Sequence, residues 1–217
     1  MTGDLSFASH LGITAMIAAL PFIVIIGTSF AKIAVVLGIT RSALGAPGVP
    51  PASVITGLAV VMSIFIMAPV ATDIADSMEE YARNSTPVEA DRWGMAEARA
   101  LYDAASPPLM DFLEMNTPAG EVDFFSDMAG ATPGTKPTLR ILLPAFATSE
   151  IVEAFLIGFL VFIPFLVIDL IVANVLLSLG MHMTSPMAVS LPLKLLLFVA
   201  ADGWHIIING LVVSYGL

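Results

Sequence analysis

The 217-residue sequence contains no cysteine, few charged residues and no basic cluster. Without cysteine the chain cannot form disulfides, cysteine-ligated zinc sites, iron–sulfur clusters or a thiol nucleophile. Only 12% of the residues are charged and 58% are hydrophobic, whereas a soluble domain carries about 25% charged residues. So little charge cannot cover a solvated surface, which indicates a membrane protein rather than a soluble enzyme. The net charge of −10 argues against a nucleic-acid partner, because few cations are available to neutralise phosphates.

Residue types that carry catalysis or bind metals are sparse and scattered along the chain. The three histidines, His10, His182 and His205, have no partners at ligand spacing, so no metal site is expected. Paired carboxylates such as Asp123 and Asp127 could act as an acid and a base, but no histidine or glycine-rich phosphate loop accompanies them. We interpret these acids as a solvated surface, and we expect neither enzymatic activity nor a cofactor.

The charges that do occur are concentrated in one stretch. Residues 72–140 hold 13 acids and 5 bases, which is 18 of the 26 charges of the chain. The pattern predicts an all-α protein in three segments, with about four hydrophobic helical segments in total. Residues 1–71 form a hydrophobic helical hairpin, residues 72–140 an acidic helical module, and residues 141–217 a second hydrophobic hairpin. The pair Pro107-Pro108 is expected to break the acidic module into short helices.

The amino-terminal segment contains two runs that are long enough to cross a membrane. Leu11–Ala31 has no charge over 21 residues, and Val54–Ala71 has none over 18, while a bilayer core needs about 20. Between them, Lys32 and Arg41 are the only charges. Because positive loops stay in the cytoplasm, the acidic module is expected on the opposite, extracytoplasmic side.

The carboxyl-terminal segment carries charges that lipid would not tolerate. Asp169, Lys194 and Asp202 lie within its apolar stretches, as does Glu150 near their start. A central Asp or Lys costs about 2.5–3.5 kcal/mol on insertion scales, so the first three together would cost on the order of 8–10 kcal/mol against lipid. These four residues are therefore candidate structural ion pairs, in a protein whose helices pack against other protein. That requirement predicts oligomerisation.

A short segment with three methionines, Met181-His-Met-Thr-Ser-Pro-Met187, joins the two apolar stretches as a tight hairpin. Methionine at such a tip can be ordinary core filler. Alternatively, its unbranched thioether can form a deformable seal around a passing molecule. The residues alone leave both interpretations open.

Many short strings in both hydrophobic segments resemble the FliP/SctR family of bacterial type III secretion. In the amino-terminal segment they are Gly27-Thr-Ser-Phe-Ala-Lys32, Arg41-Ser-Ala-Leu-Gly45, Val49-Pro-Pro51 and Phe65-Ile-Met-Ala-Pro69. In the carboxyl-terminal segment they are Leu143-Pro-Ala-Phe146, Ser149-Glu150, Ala154-Phe-Leu-Ile-Gly-Phe159, Pro164-Phe165, Asp169-Leu170, Ser185-Pro186, Leu191-Pro-Leu-Lys-Leu-Leu-Leu-Phe198 and Asp202-Gly-Trp204. Few of these strings are required in a generic membrane helix, so the resemblance is specific.

The resemblance implies a core subunit of the export gate of a bacterial secretion system. Such a subunit assembles as a homopentamer with two smaller membrane subunits, within the basal body at the inner membrane. Unfolded substrate proteins cross the resulting helical pore, and the subunit itself catalyses nothing. The sequence is more similar to the injectisome branch, SctR, than to the flagellar branch. Two features carry this preference: the string Gly27-Thr-Ser-Phe-Ala-Lys32 and the lack of a clear signal peptide.

The family's constriction is a ring of methionines, and the matching positions here are Met181, His182 and Met183. His182 departs from an all-methionine seal, so we hypothesise that the seal responds to pH. A function of another class is also open. In it the chain is a small secondary transporter that uses intramembrane charges as a proton or ion relay. No inverted repeat between the hydrophobic segments supports that alternative.

Overall fold

The computed structural model describes Thr14, Ala18 and residues 21–84, 95–132 and 134–217. Within these ranges the chain is helical and contains no strand, which confirms the all-α prediction. Residues 21–26 are helical, and seven longer helices follow in the described ranges. They are α1 (Phe30–Leu44), α2 (Ala52–Asn84), α3 (Met95–Met115), α4 (Ala119–Met128), α5 (Leu139–Ser178), α6 (Pro186–Ala200) and α7 (Gly203–Val213). Most of the hydrophobic run Leu11–Ala31 lies outside the described residues.

Prolines interrupt the helices less than the sequence pattern indicates. Helix α3 continues through Pro107 and Pro108, so the predicted break there is wrong. Proline removes one backbone hydrogen bond and crowds the preceding turn, yet packing can outweigh this cost. One turn later, Phe112 is buried and its ring centroid lies 5.7 Å from that of Phe146. Tertiary packing thus holds a helix that local preference disfavours.

The described residues fall into two compact units. Unit 1 is drawn from residues 1–29 and 67–149, and unit 2 from residues 30–66 and 150–217. The sequence boundaries after residues 71 and 140 follow the onset of charge, whereas α2 and α5 are continuous through those positions. The limits of the two units, after residues 66 and 149, likewise lie inside α2 and α5, so the continuity of these helices does not decide between the two divisions.

Unit 2 has a hydrophobic core to which all of its helices contribute. Helix α5 contributes Ala154 and Phe165 to this core, and its buried Val172 and Leu176 continue the same stripe along the helix, as the helical repeat requires. The other members of the core are Ile33, Val36, Leu37, Ala43 and Leu44 of α1, Ile55, Ala59 and Ile66 of α2, Phe198 of α6, and Ile207 and Leu211 of α7. Helices α1 and α5 approach closely where Gly158 faces Ile39, since a Cβ atom at Gly158 would lie 2.4 Å from the Ile39 Cδ1.

Unit 1 contains a cavity of about 690 Å³ between α4 and the start of α5. Glu114, Asp123 and Asp127 line it together with hydroxyl and apolar side chains. Asp123 and Asp127 are exposed, which agrees with their interpretation as a solvated surface. No group of acids or histidines in the described part of the chain has the geometry of a metal site.

Among the residues that the structure describes, two helices are long and apolar enough to cross a membrane, and the bent pair α6–α7 could supply a third span. Helix α5 has 40 residues and is therefore about 60 Å long, twice the thickness of a bilayer core. Less than a quarter of the most apolar window of α2 or α5 is buried within the protomer. These exposed apolar faces require cover by lipid or by other protein chains.

Candidate functional site

The hairpin between α5 and α6 is built by a helix-ending motif and a proline. Gly180 has a φ of +72°, a conformation that glycine adopts without cost. The N–H of Gly180 donates to the Leu177 carbonyl at 3.0 Å, and the N–H of Met181 donates to the Leu176 carbonyl at 2.9 Å. This pair of bonds is the Schellman arrangement, which ends a helix sharply. Pro186 then begins α6, because the first helical position needs no N–H donor.

The tip of this hairpin carries apolar side chains that the protomer leaves uncovered. Met183 is 99% exposed and Met181 is 46% exposed, with His182 exposed between them. Met187, on the first turn of α6, is also largely exposed. An exposed methionine costs hydrophobic free energy unless another molecule covers it. Within the protomer these side chains therefore lie outside the hydrophobic core.

A partly buried ion pair fixes the base of the hairpin. Lys194 of α6 is nearly inaccessible, and its Nζ lies 2.6 Å from the Oδ2 of Asp169 on α5. The Ser190 hydroxyl donates to the Oδ1 of Asp169 at 2.6 Å, and Lys194 also donates to the Ala43 carbonyl at 3.3 Å. We name these four residues the Lys194 cluster. It joins α1, α5 and α6 and satisfies both carboxylate oxygens.

A second cluster of charged side chains, built around a buried lysine, lies in the same unit. Lys32 is 2% exposed, and its Nζ lies 2.8 Å from the Oε1 of Glu150 and 2.7 Å from the Oε2 of Glu153. The same ammonium lies 4.3 Å from the centre of the Tyr215 ring, in cation–π geometry. The Tyr215 hydroxyl donates to the Oε2 of Glu150. We name these four residues the Lys32 cluster.

Burial limits the charge states and the proton exchange that are available to the Lys32 cluster. It holds two carboxylates and one ammonium, and Glu150 is only 1% exposed, so Lys32 is the cation that makes its burial tolerable. Burial, reinforced by the charge of Glu150, raises the pKa of the Tyr215 hydroxyl far above its usual value. Tyr215 therefore remains a hydrogen-bond donor at any physiological pH, which fits a structural contact rather than proton exchange.

The four candidate ion-pair residues do not form one network within the protomer. Asp169 and Lys194 lie together, while Glu150 lies in the separate Lys32 cluster. Asp202 is exposed and forms no salt bridge to any part of the chain that the structure describes. Its backbone has a φ of +50° and a ψ of +47° at the corner between α6 and α7.

Lys32 and Tyr215 are site residues that the sequence analysis did not single out. In the sequence, Lys32 marks the orientation of the chain in the membrane and ends one of the strings that resemble the family. A usable signal was present, since the two hydrophobic segments contain only three cations, Lys32, Arg41 and Lys194. Any buried acid in these segments needs one of the three as its partner. For Tyr215 no such signal exists, because a tyrosine near a chain end has no charge to balance.

Comparison with protein families gives a match to the FliP family over residues 13–211. The Yop proteins translocation protein R of Yersinia pestis is 40% identical over 211 residues, which cover 94% of each chain. The hypersensitivity response secretion protein HrcR of Ralstonia nicotianae is 41% identical over 220 residues, or 98% of this chain and 99% of that protein. The flagellar biosynthetic protein FliP of Cereibacter sphaeroides is 42% identical over 220 residues, or 99% of this chain and 70% of that protein. These matches confirm the resemblance drawn from the short strings.

Proposed function

The chain belongs to the FliP family, and we propose that it is a membrane component of a bacterial protein-secretion apparatus. Relatives named for the translocation of Yop proteins and for hypersensitivity response secretion support this role. Within the apparatus, we assign it as a core pore-forming subunit of the export gate, which conducts unfolded proteins across the inner membrane without catalysis of its own. The injectisome rather than the flagellum is the proposed setting, although identity to the two kinds of relative is nearly equal.

The single observation that carries the pore assignment is the exposed methionine tip. Met183 projects from a hairpin whose turn is fixed by Gly180 and whose base is held by the Lys194 cluster. A rigid base with flexible apolar side chains at the tip suits a seal that must close around different substrates and open again. Met181, His182 and Met183 are the proposed gasket, with one set from each protomer.

The assembly that such a seal requires is also a proposal. Five copies around one axis, joined by two smaller membrane subunits, would cover the exposed apolar faces of α5 and α6 and bring the tips together. The acidic module would lie on the periplasmic side. This arrangement is supported by the large uncovered apolar area of the protomer and by the length of α5, which exceeds one bilayer core.

Native mass spectrometry tests the proposed assembly. The tagged chain is co-expressed with its genomic neighbours and extracted in mild detergent. We expect one discrete complex that contains several copies of this chain together with smaller helical subunits. A monomer or dimer that binds no neighbour would contradict the gate and favour the transporter. In that event Asp169, with Lys194 and the exposed Asp202, would be the residues to examine as an ion relay.

His182 gives the proposed gasket a property that methionine alone lacks. Imidazole changes its charge within the physiological range, and a charged ring of side chains would hold water in an otherwise apolar constriction. We expect the ion leak of the closed complex to be larger at about pH 5.5 than at about pH 8, and expect His182→Met to abolish the difference. An equal leak at both pH values would remove the hypothesis.

A further inference from the structure

The corner between α6 and α7 depends on a backbone conformation that few residues adopt. Among the residues that the structure describes, Asp202 is the only non-glycine with a positive φ, and it lies in the left-handed helical region. In that region the Cβ atom crowds the following carbonyl oxygen. Glycine avoids this contact, and asparagine and aspartate tolerate it best among the other residues because their short polar side chains bond locally.

The carboxylate of Asp202 has no partner among the residues that the structure describes. The side chain does not cap α7, is exposed to solvent and forms no salt bridge with the described residues. The backbone, in contrast, is fully engaged. The Asp202 N–H donates to the Val199 carbonyl at 3.1 Å, and the Asp202 carbonyl accepts from the Ile206 N–H at 3.2 Å. The residue thus closes α6 and opens α7 at the same point.

The packing around the corner fixes its angle. Gly203 lies against the Phe198 ring, where a Cβ atom would be 2.3 Å from the ring carbons. The Trp204 ring meets the Phe198 ring edge to face, with 5.1 Å between centroids. Helices α6 and α7 therefore meet at a bend of 57° that the aromatic contact stabilises.

The direction of α7 decides whether the Lys32 cluster can form. From the corner, α7 buries Ile207 and Leu211 in the core of unit 2 and ends two residues before Tyr215. Tyr215 then contacts both the Lys32 ammonium and the Glu150 carboxylate. A change of the corner would move this hydroxyl away from the Glu150 carboxylate.

We propose that Asp202 is a positioning residue that acts through its left-handed backbone conformation, and not through its charge, to direct α7 so that Tyr215 completes the Lys32 cluster. Its effect on secretion rests on the function proposed above, whereas its effect on folding does not. The alternative is that Asp202 supplies a negative charge, either as an ion-pair partner for a neighbouring subunit or as part of an ion relay.

Four substitutions separate conformation from charge. Asp202→Asn and Asp202→Gly remove the charge but permit the left-handed conformation. Asp202→Glu keeps the charge but disfavours that conformation, and Asp202→Ala loses both. Each full-length variant is purified in detergent with its co-expressed neighbours, and its unfolding equilibrium constant is measured alongside secretion in cells. The change caused by Tyr215→Phe is measured in each background.

We expect the Asn and Gly variants to fold and secrete like the parent. Relative to the Gly variant, the Glu and Ala variants should show an unfolding equilibrium constant about 5- to 30-fold larger. In these two variants Tyr215→Phe should have little further effect, because the hydroxyl has already left the cluster.

A functional Glu variant with defective Asn and Gly variants would overturn the proposal in favour of charge. Equal behaviour of all four variants would overturn it as well, since no conformational demand would then exist. If secretion fails in every background including the parent, the unfolding constants and the Tyr215→Phe comparison still decide the proposal.

Discussion

Removal of the Lys32 ammonium is the most informative perturbation of this structure. Lys32→Met keeps most of the side-chain volume while deleting the cation that faces Glu150 at 2.8 Å and Glu153 at 2.7 Å. Glu150 would then remain 1% exposed with no cation beside it. Breaking a buried pair from one side costs about 3–5 kcal/mol, because the remaining charge stays desolvated. The free energy of unfolding should fall by that amount.

A double variant separates the cost of the uncompensated buried charge from a simple loss of packing. Lys32→Met combined with Glu150→Gln removes the uncompensated buried charge, and the Gln side chain can still accept from Tyr215. Glu153 is 43% exposed, so water can solvate its charge once Lys32 is gone. We therefore expect the double substitution to recover more than half of the loss, although it removes more native charge than either single change.

Chemical denaturation of the detergent-solubilised protein provides the measurement. Arg83→Met is the matched control, because Arg83 pairs with Glu79 at 2.5 Å on an exposed face of α2. An exposed pair at this helical spacing is worth only about 0.3–0.5 kcal/mol. If Lys32→Met costs no more than Arg83→Met, or if Glu150→Gln adds to the loss instead of reversing it, the assignment of a buried charge cluster is wrong.

Two further predictions concern contacts inside unit 2. Gly158→Ala should destabilise the protein by about 1–3 kcal/mol, because the added methyl group would lie 2.4 Å from the Ile39 Cδ1. The control is Gly57→Ala on α2, whose methyl group would meet no atom within 4 Å, so this change should be neutral or stabilising. Thermal unfolding compares the two variants, and equal melting temperatures would contradict the close approach of α1 and α5. Asp169→Lys together with Lys194→Asp should restore assembly better than either single reversal, as judged by the yield of intact complex, and no gain from the double reversal would refute their pairing.

The charged residues show how far sequence reasoning reaches in this chain. The cost of burying Asp169 and Lys194 in an apolar segment predicts that each needs a partner, and the argument is independent of the fold. It does not say which partner, because the helices that bring Lys32 to Glu150 are separated by more than a hundred residues. Pairing at that separation depends on tertiary packing, which a hydrophobic pattern does not encode.

The helices show a second limit of prediction from sequence, which concerns the places where a helix is broken or continues. Length and hydropathy predict the apolar helices, but α5 runs unbroken through Pro164, and α3 runs through Pro107 and Pro108. Local preference disfavours both arrangements, and the packing of neighbouring side chains overrides it. The sequence does not predict the left-handed backbone conformation at Asp202 either, because an aspartate before a glycine occurs in many loops and turns. Such features become visible only with backbone geometry.

The absence of cysteine makes one direct measurement of the gate possible. Met183→Cys introduces a single thiol at the hairpin tip, and a secretion substrate with one cysteine and a folded, export-resistant domain is stalled in the apparatus. If the tip lines the pore, oxidation should link Met183→Cys to the stalled substrate, while Val199→Cys, at a position on α6 that is 77% exposed in the protomer, should give no product. An assembled complex in which the Met183 position never links to the substrate, or in which the Val199 position links equally well, would contradict the assignment of the methionine hairpin as the protein-conducting constriction.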